Sequence, residues 1–392
     1  MTGFRLAIMV LVICCSGFLY ARGEEMMPDS LCVKEDVDSV PDKHNLIHKI
    51  LDYFKDSNKP HDYKKFDFSI IGGPHYSSDV KFGIGVAAAG YYRPNMADSL
   101  TRPSNVSLYG DISSVGFYMI GVRGNHIFKQ DKRRITYNLY FYSFPRKFWG
   151  IGYENGLNMN NATEFNELYV HANVDMMWRL VPKLYLGPAV EFGHVKANKV
   201  LRPELWDGQN FSTYTTGFGA KIQFDTRDNL TATRRGWLLM LEQRFCPRFL
   251  GNKYAFSYTS LQANWFHPVW KGAVLGVNYH TKINYGNVPW GMMASFGGSN
   301  NMRGYYEARF RDKCEMDFTV ELRQHVWRRN GIVVWAGAAT IAPSIGKFNF
   351  RHLLPSAGIG YRWEFKHLTN VRLDFGIGRG ETSFIFSINE AF

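Results

Sequence analysis

The residues best suited to chemistry are histidines and carboxylates that share faces of extended segments. His171 and Asp175 stand four residues apart, and Glu321, Arg323 and His325 follow one another at intervals of two. In a strand, such spacings put the side chains on one face. Groups of this kind at a rim are the raw material of a hydrolytic site. The 12 histidines also include His75, His126, His194, His352 and His367. No G-x-S-x-G nucleophile turn and no H-E-x-x-H zinc helix occurs. Polar residues lining a lumen have the same spacing, so the pattern reads as lining, and the chain as no enzyme. After removal of a signal peptide, Cys32, Cys246 and Cys314 remain. An odd, scattered set without CxxC is no disulfide framework and no metal site. No cofactor is implied.

The elements that position these residues are strands. A period-two alternation of apolar and polar residues recurs from about Phe66 to Phe392. Over residues 314–327, Met316, Phe318, Val320, Leu322 and Val326 take one face. Glu315, Asp317, Thr319, Glu321, Arg323 and His325 take the other. Over residues 168–180, Leu168, Val170, Ala172, Val174, Met176, Trp178 and Leu180 alternate with Tyr169, His171, Asn173, Asp175 and Arg179. Each segment is a strand with one apolar and one strongly polar side. A soluble sandwich turns the polar side to water. A membrane barrel turns the apolar side to lipid and the polar side to its lumen.

Targeting and composition favour the barrel. Arg5, an apolar run over residues 6–20, and the small residues Ala21 and Gly23 read as a secretory signal peptide, residues 1–23. Cys14 and Cys15 are preceded by Ile13 and Cys14 rather than by small residues, which argues against lipidation. No later apolar run reaches the ~18–20 residues of a spanning helix. The longest, residues 331–342, is too short. Aromatic residues make up 16% of the chain, enough for girdles at two membrane interfaces. The net charge of +12 reads first as a solvated lumen and loops with a modest cationic bias, and second as a basic surface that attracts anionic lipid and lipopolysaccharide as partners. No basic stripe with interleaved aromatics occurs, which excludes nucleic acid.

Residues 24–65 read as a short periplasmic leader. Leu46, Ile47, Ile50, Leu51 and Phe54 are spaced for one face of an amphipathic helix over residues 45–58. This helix would plug the barrel, dock a partner or cap the periplasmic mouth. Residues 66–392 form one domain, an all-β transmembrane antiparallel β-barrel of about sixteen strands. Clear strands include 81–92, 115–128, 133–143, 166–180, 184–196, 213–225, 236–247, 254–268, 314–327, 356–366, 371–378 and 382–391, with another near 271–286. The first strand is expected near residues 66–71, with Gly72-Gly73-Pro74 as a bend after it. The last places Phe384, Phe386, Ile388 and Phe392 on one face, a C-terminal pattern that resembles the signal by which insertion machinery recognises outer-membrane proteins.

One loop stands out. Phe296-Gly297-Gly298-Ser299-Asn300-Asn301-Met302-Arg303-Gly304-Tyr305 carries a single cation in a neutral, glycine-rich stretch. If the loop folds into the lumen, Arg303 must find carboxylates, because a desolvated guanidinium is costly unpaired. Candidates on lumen faces are Glu321, Asp317 and Asp374. The competing reading is a solvated external loop with an incidental arginine.

This segment resembles the Arg-Gly-Phe/Tyr loop motif of the BamA/TamA superfamily, the bacterial surface antigen barrels. Phe224-Asp225-Thr226-Arg227-Asp228 followed by Arg235-Gly236 resembles that family's D-x-R-D turn. Glu321-Leu322-Arg323 resembles its E-L-R strand, and Ala357-Gly358-Ile359-Gly360, Arg372-Leu373-Asp374 and Phe392 resemble its final strands. The match covers most of residues 66–392. Two departures stand out. Trp335 occupies the place where many relatives carry an aspartate that helps hold the loop arginine. The leader is also too short for the family's periplasmic POTRA modules, so the resemblance is to a lone-barrel branch. It implies a bacterial outer-membrane protein that inserts, assembles or translocates polypeptides or lipids through a seam between first and last strands. Other outer-membrane or periplasmic proteins would be partners. The rivals are a passive pore or structural subunit of a larger complex, and a barrel enzyme acting on lipid or peptide.

Overall fold

The computed structural model describes residues 66–92, 104–366 and 369–392. The expected signal peptide and leader helix lie outside the described residues.

The alternating segments fold into long strands. In chain order they are β1 (Phe66–Ser77), β2 (Lys81–Tyr92), β3 (Ser104–Ser113), β4 (Tyr118–Ile127), β5 (Arg133–Phe148) and β6 (Thr163–Val181). Next come β7 (Leu184–Asn198), β8 (Ser212–Asp225), β9 (Gly236–Cys246), β10 (Phe256–Trp270) and β11 (Ala273–Gly286). Two short strands, β12 (Ala294–Ser295) and β13 (Arg311–Asp312), pair only with each other. The series ends with β14 (Cys314–Trp327), β15 (Asn330–Ala342), β16 (Leu354–Lys366), β17 (Thr369–Gly378) and β18 (Glu381–Ile388). All but β12 and β13 form one closed antiparallel barrel in sequence order, with β14 beside β11 and β18 beside β1.

Burial settles which side faces what. On β14, Glu315, Asp317, Thr319, Glu321 and Arg323 are buried while Phe318 is 45% exposed. Leu108, Ile120, Val190, Tyr214, Ile359 and Phe375 on other strands are likewise exposed. A soluble sandwich has the reverse arrangement. A sheet closed on itself, polar inside and apolar outside, satisfies all backbone groups without water and presents its hydrocarbon face to lipid. No helix among the described residues is long and apolar enough to cross a membrane; this chain crosses with strands. Connections at one end are tight, such as residues 182–183 and 271–272. At the other end they are long, such as residues 149–162, 199–211 and 287–313.

Four sequence readings change. β1 does not bend at Gly72-Gly73-Pro74 but runs on to Ser77, pairing with β2 from Phe66 opposite Tyr92 to Ser77 opposite Lys81. Proline cannot donate to a ladder, yet it is tolerated where a strand's other edge is sparsely paired. That is the case here, since β1 meets β18 through one registered pair, Tyr76 opposite Phe386. β3, whose glycine and serine residues weaken its alternation, is an additional strand. β4 starts three residues later than expected, because 114–117 turn. Finally, β18 stops at Ile388 and Asn389 takes a positive φ of 69°. The alternation breaks there, so Phe392 leaves the face of Phe384 and Phe386. It turns inward onto Phe266, ring centroids 5.9 Å apart, with the Arg323 guanidinium 5.3 Å from its ring.

Candidate functional site in the barrel lumen

The loop between β11 and β14 folds into the lumen. Its apolar residues Phe296, Met302, Tyr305 and Phe310 form a core with Ala339 and Ile341 of β15 and Leu354 of β16. Nearer the long-loop end, Trp290 joins Phe148, Phe165 and Trp206 in an aromatic cluster that Arg311 caps, 5.1 Å from the Phe148 ring. The loop thus has a core of its own, which only a lumen wall can complete.

Glycines set how closely its tip approaches the wall. Gly304 has φ +117°, and a Cβ there would lie 2.7 Å from the carbonyl carbon of Ile377 on β17. Reciprocally, a Cβ on Gly376 would lie 2.7 Å from the carbonyl carbon of Arg303, and one on Gly378 would meet the Tyr305 ring at 2.8 Å. Backbone therefore packs on backbone. Tyr305 fixes the contact by donating its hydroxyl to the Pro355 carbonyl (2.6 Å) and accepting the Arg379 N–H (2.8 Å). Ser356 donates to the carbonyl of Arg303 at 2.6 Å.

Docked in this way, Arg303 is buried and spans four strands. One arm meets Glu321 of β14, and the other donates to Asp374 of β17 at 2.7 Å. Its guanidinium carbon stands 3.7 Å from the centre of the Trp335 ring on β15. Around it, Arg323 donates to Glu321 (2.7 Å), and Arg362 of β16 donates to Asp374 (2.5 Å) and Glu390 (2.8 Å). Arg372 holds the loop from the far side through the Ser299 carbonyl (2.8 Å) and Asn300 (2.9 Å). Four guanidiniums share three buried carboxylates. Each carboxylate is thereby paired, the condition under which buried charge is tolerated.

Asp317 takes no part. Inward positions along a strand are ~6.8 Å apart, so Asp317 lies ~13 Å up β14 from Glu321. It accepts the Asn278 side-chain amide at 3.3 Å and faces His280. The turn residues form a separate structure at the tight-turn end. Arg227 grips Asp225 through both Nε and Nη2 at 3.0 Å, and Asp228 accepts the N–H groups of Asn229, Arg234 and Arg235. This motif knits its own turn. Phe384 and Phe386 sit on β18, next to the sparsely paired edge.

The groups first singled out for chemistry are spent on other partners. Asp175 bonds Lys221 (2.9 Å) and Arg244 (3.0 Å), while His171 pairs with the Tyr169 hydroxyl (3.2 Å). His325 contacts the Arg328 carbonyl, and Glu321 belongs to Arg303. The sequence reading missed Arg362 and Glu390. Their signal was only a charge at an inward position, common to many residues of every strand.

The order of these motifs on one closed barrel decides the family. An Omp85 superfamily domain matches residues 105–392. The chain belongs to the Omp85 superfamily. Among solved structures it is similar to BamA from Haemophilus ducreyi lacking POTRA domains 1–3, at 10% identity and a TM-score of 0.57 over 84% of this chain and 70% of that one. CdiB from Acinetobacter baumannii gives 11% identity and a TM-score of 0.54 over 84% of this chain and 60% of that one. CdiB from Escherichia coli gives 9% and 0.56 over 84% and 64%. The chain therefore spans less than two thirds of either CdiB, and at such identities the likeness is one of fold. No curated protein matches the sequence. Among the described residues there is a barrel and no POTRA module.

Proposed function

We propose that this Omp85 barrel lies in a bacterial outer membrane and handles polypeptides there, in insertion, assembly or translocation, through a seam between β1 and β18. One observation carries the reading. Tyr76 opposite Phe386 is the only registered pair between these strands, whereas β17 and β18 pair from Val371 opposite Ile388 to Gly378 opposite Glu381. A sparsely paired edge leaves backbone N–H and C=O groups that an incoming strand can complete. The docked loop favours this reading over a passive pore, because its tip and aromatic core occupy the lumen. Arg303 and its carboxylates fix the loop against the wall formed by β14 to β17, next to β18 at the seam. No covalent step is needed. Lipid and lipopolysaccharide surround the outer face, and other envelope proteins supply the clients.

A photo-crosslinking residue in place of Tyr76 tests this. In intact cells it should capture polypeptide, while the same residue in place of Leu108, on the lipid-facing side of β3, should not. Adducts to lipid alone at both positions would remove the seam from the mechanism. A Y76C/F386C disulfide should then block whatever growth or secretion phenotype the wild-type chain rescues, with reduction restoring it.

A further inference from the structure

A second cluster lies above the Arg303 network, at the root of the same loop. His280 is on β11 and Glu315 and Asp317 are on β14, with His280 directly opposite Asp317 in the ladder. The Nδ1 of His280 stands 2.7 Å from Glu315 Oε1 and 3.4 Å from Asp317 Oδ2. Both carboxylate side chains have no exposed surface, and the ring is three-quarters buried.

This cluster lacks what the Arg303 network has. His280 Nδ1, at ion-pair distance from both carboxylates, makes no well-aligned hydrogen bond to either, and no other donor reaches the oxygens of Glu315 or Asp317 Oδ2. The nearest cation is spent elsewhere. Lys282, opposite Glu315 on β11, donates to the Met292 carbonyl (3.1 Å) and stacks on the Tyr258 ring (4.7 Å). Two buried carboxylates without a guanidinium or an ammonium are expensive. One imidazole cannot compensate both.

We propose that His280 Nδ1, Glu315 and Asp317 Oδ2 bind a divalent transition-metal ion of the zinc class. The three ligand atoms lie within 4.8 Å of one another. Tetrahedral ligands on an ion at ~2.0–2.2 Å stand ~3.3–3.6 Å apart; the 3.4 Å separation fits that span, and the 2.7 Å one opens by less than ~1 Å when the ion enters. One imidazole and two carboxylates, with no thiolate, suit zinc and its neighbours over magnesium. Asn278 holds the other oxygen of Asp317, orienting the carboxylate as an outer partner does in metal sites. The ion would join β11 and β14 where they diverge into the lumen loop, since β11 ends at Gly286 and β14 begins at Cys314. It is thus a staple at the loop's root, independent of the seam.

The test uses the full-length, tag-free protein in detergent, stripped with chelator and titrated with zinc chloride by calorimetry. Cobalt(II) serves as a spectroscopic probe. We expect about one equivalent of zinc, a higher melting temperature that chelator reverses, and cobalt d–d bands without a thiolate charge-transfer band. His280→Asn and Asp317→Asn should each weaken zinc binding at least tenfold while retaining the heat-modifiable gel mobility of a folded barrel. No zinc binding by the wild type overturns the proposal. Unchanged affinity in a folded variant, or a thiolate band, also overturns it by placing the metal elsewhere. If neither variant folds, the wild-type cobalt spectrum decides.

Discussion

Arg303 rests on the face of Trp335, its guanidinium carbon 3.7 Å from the ring centre, while its two arms reach Glu321 and Asp374. An aromatic face thus lies at the position where the family resemblance implies an aspartate. The ring attracts the cation without adding charge, so the arginine stays held by two carboxylates and a quadrupole.

Removing the cation strands two buried anions. Arg303→Ala should lower barrel stability by about 3–5 kcal/mol, the usual cost of orphaning a buried partner. Arg303→Lys should recover little of it, because an ammonium cannot bridge two carboxylates and stack at once. Trp335→Leu should cost about 1–2 kcal/mol from the lost stacking. The two substitutions touch the same contact, so their double mutant should be less destabilised than the sum. Thermal melts in detergent measure all four, and strict additivity would show that ring and cation are uncoupled.

Gly304 and Gly376 should behave as a pair that admits no side chain. A Cβ on either would lie 2.7 Å from backbone of the other segment, and backbone cannot give way as a flexible side chain can. Gly304→Ala and Gly376→Ala should therefore release the loop tip and expose residues 296–310 to protease. Gly346→Ala is the control, since nothing lies within 4 Å of its added carbon. Equal protease resistance in all three would mean that the tip does not depend on this contact.

The barrel was legible because period-two alternation survives in almost every strand, and the inside-out burial of β14 follows it residue by residue. The loop arginine was legible because one cation among nine neutral residues invites a partner. The partner's identity was only half legible. Glu321, Asp317 and Asp374 share the inward face of their strands, and spacing fixes a face without fixing height or register. Only three-dimensional docking on Gly376 shows that the tip reaches the level of Glu321 and not that of Asp317. Alternation alone puts Phe392 on the wrong face, because a single left-handed residue, Asn389, breaks the pattern, and no run of apolar residues announces that. Arg362 and Glu390 were hidden among many other inward charges.

The turn between β1 and β2 ties the seam to the loop. Ser78 accepts the Phe384 N–H of β18 at 3.2 Å, and Asp79 accepts the Glu307 N–H at 3.1 Å. Burial, and then the Glu307 carboxylate, push Asp79 from an ordinary 3.8 up to about 7; Glu381 adds to this, and the Glu307 N–H and Arg146 oppose it. The folded value lies above the unfolded one, so the neutral form stabilises the latch. Its contribution is full below about pH 4 and is lost as the pH rises through about 7. Wild-type melting temperature, compared with that of Asp79→Asn, should fall more between pH 5 and pH 8. Parallel pH curves for the two proteins would mean that Asp79 ionises without consequence for the fold.

Phe392 distinguishes an address from a structural part. Its ring packs on Phe266, which is buried, and beneath Arg323, which also donates to the main-chain oxygen of Phe392 at 2.9 Å. A residue that serves only as a recognition signal contributes nothing once the barrel has formed. Here an aromatic contact and a cation–π contact each contribute about 0.5–1.5 kcal/mol. Phe392→Ala, refolded in detergent without insertion machinery, should therefore melt measurably below wild type, and Phe392→Tyr should stay close to it. Phe386→Ala, on the outer side of β18, should change the melt less in detergent. If Phe392→Ala melts with wild type yet accumulates poorly in cells, the terminal ring acts in delivery alone and its place under Arg323 is incidental.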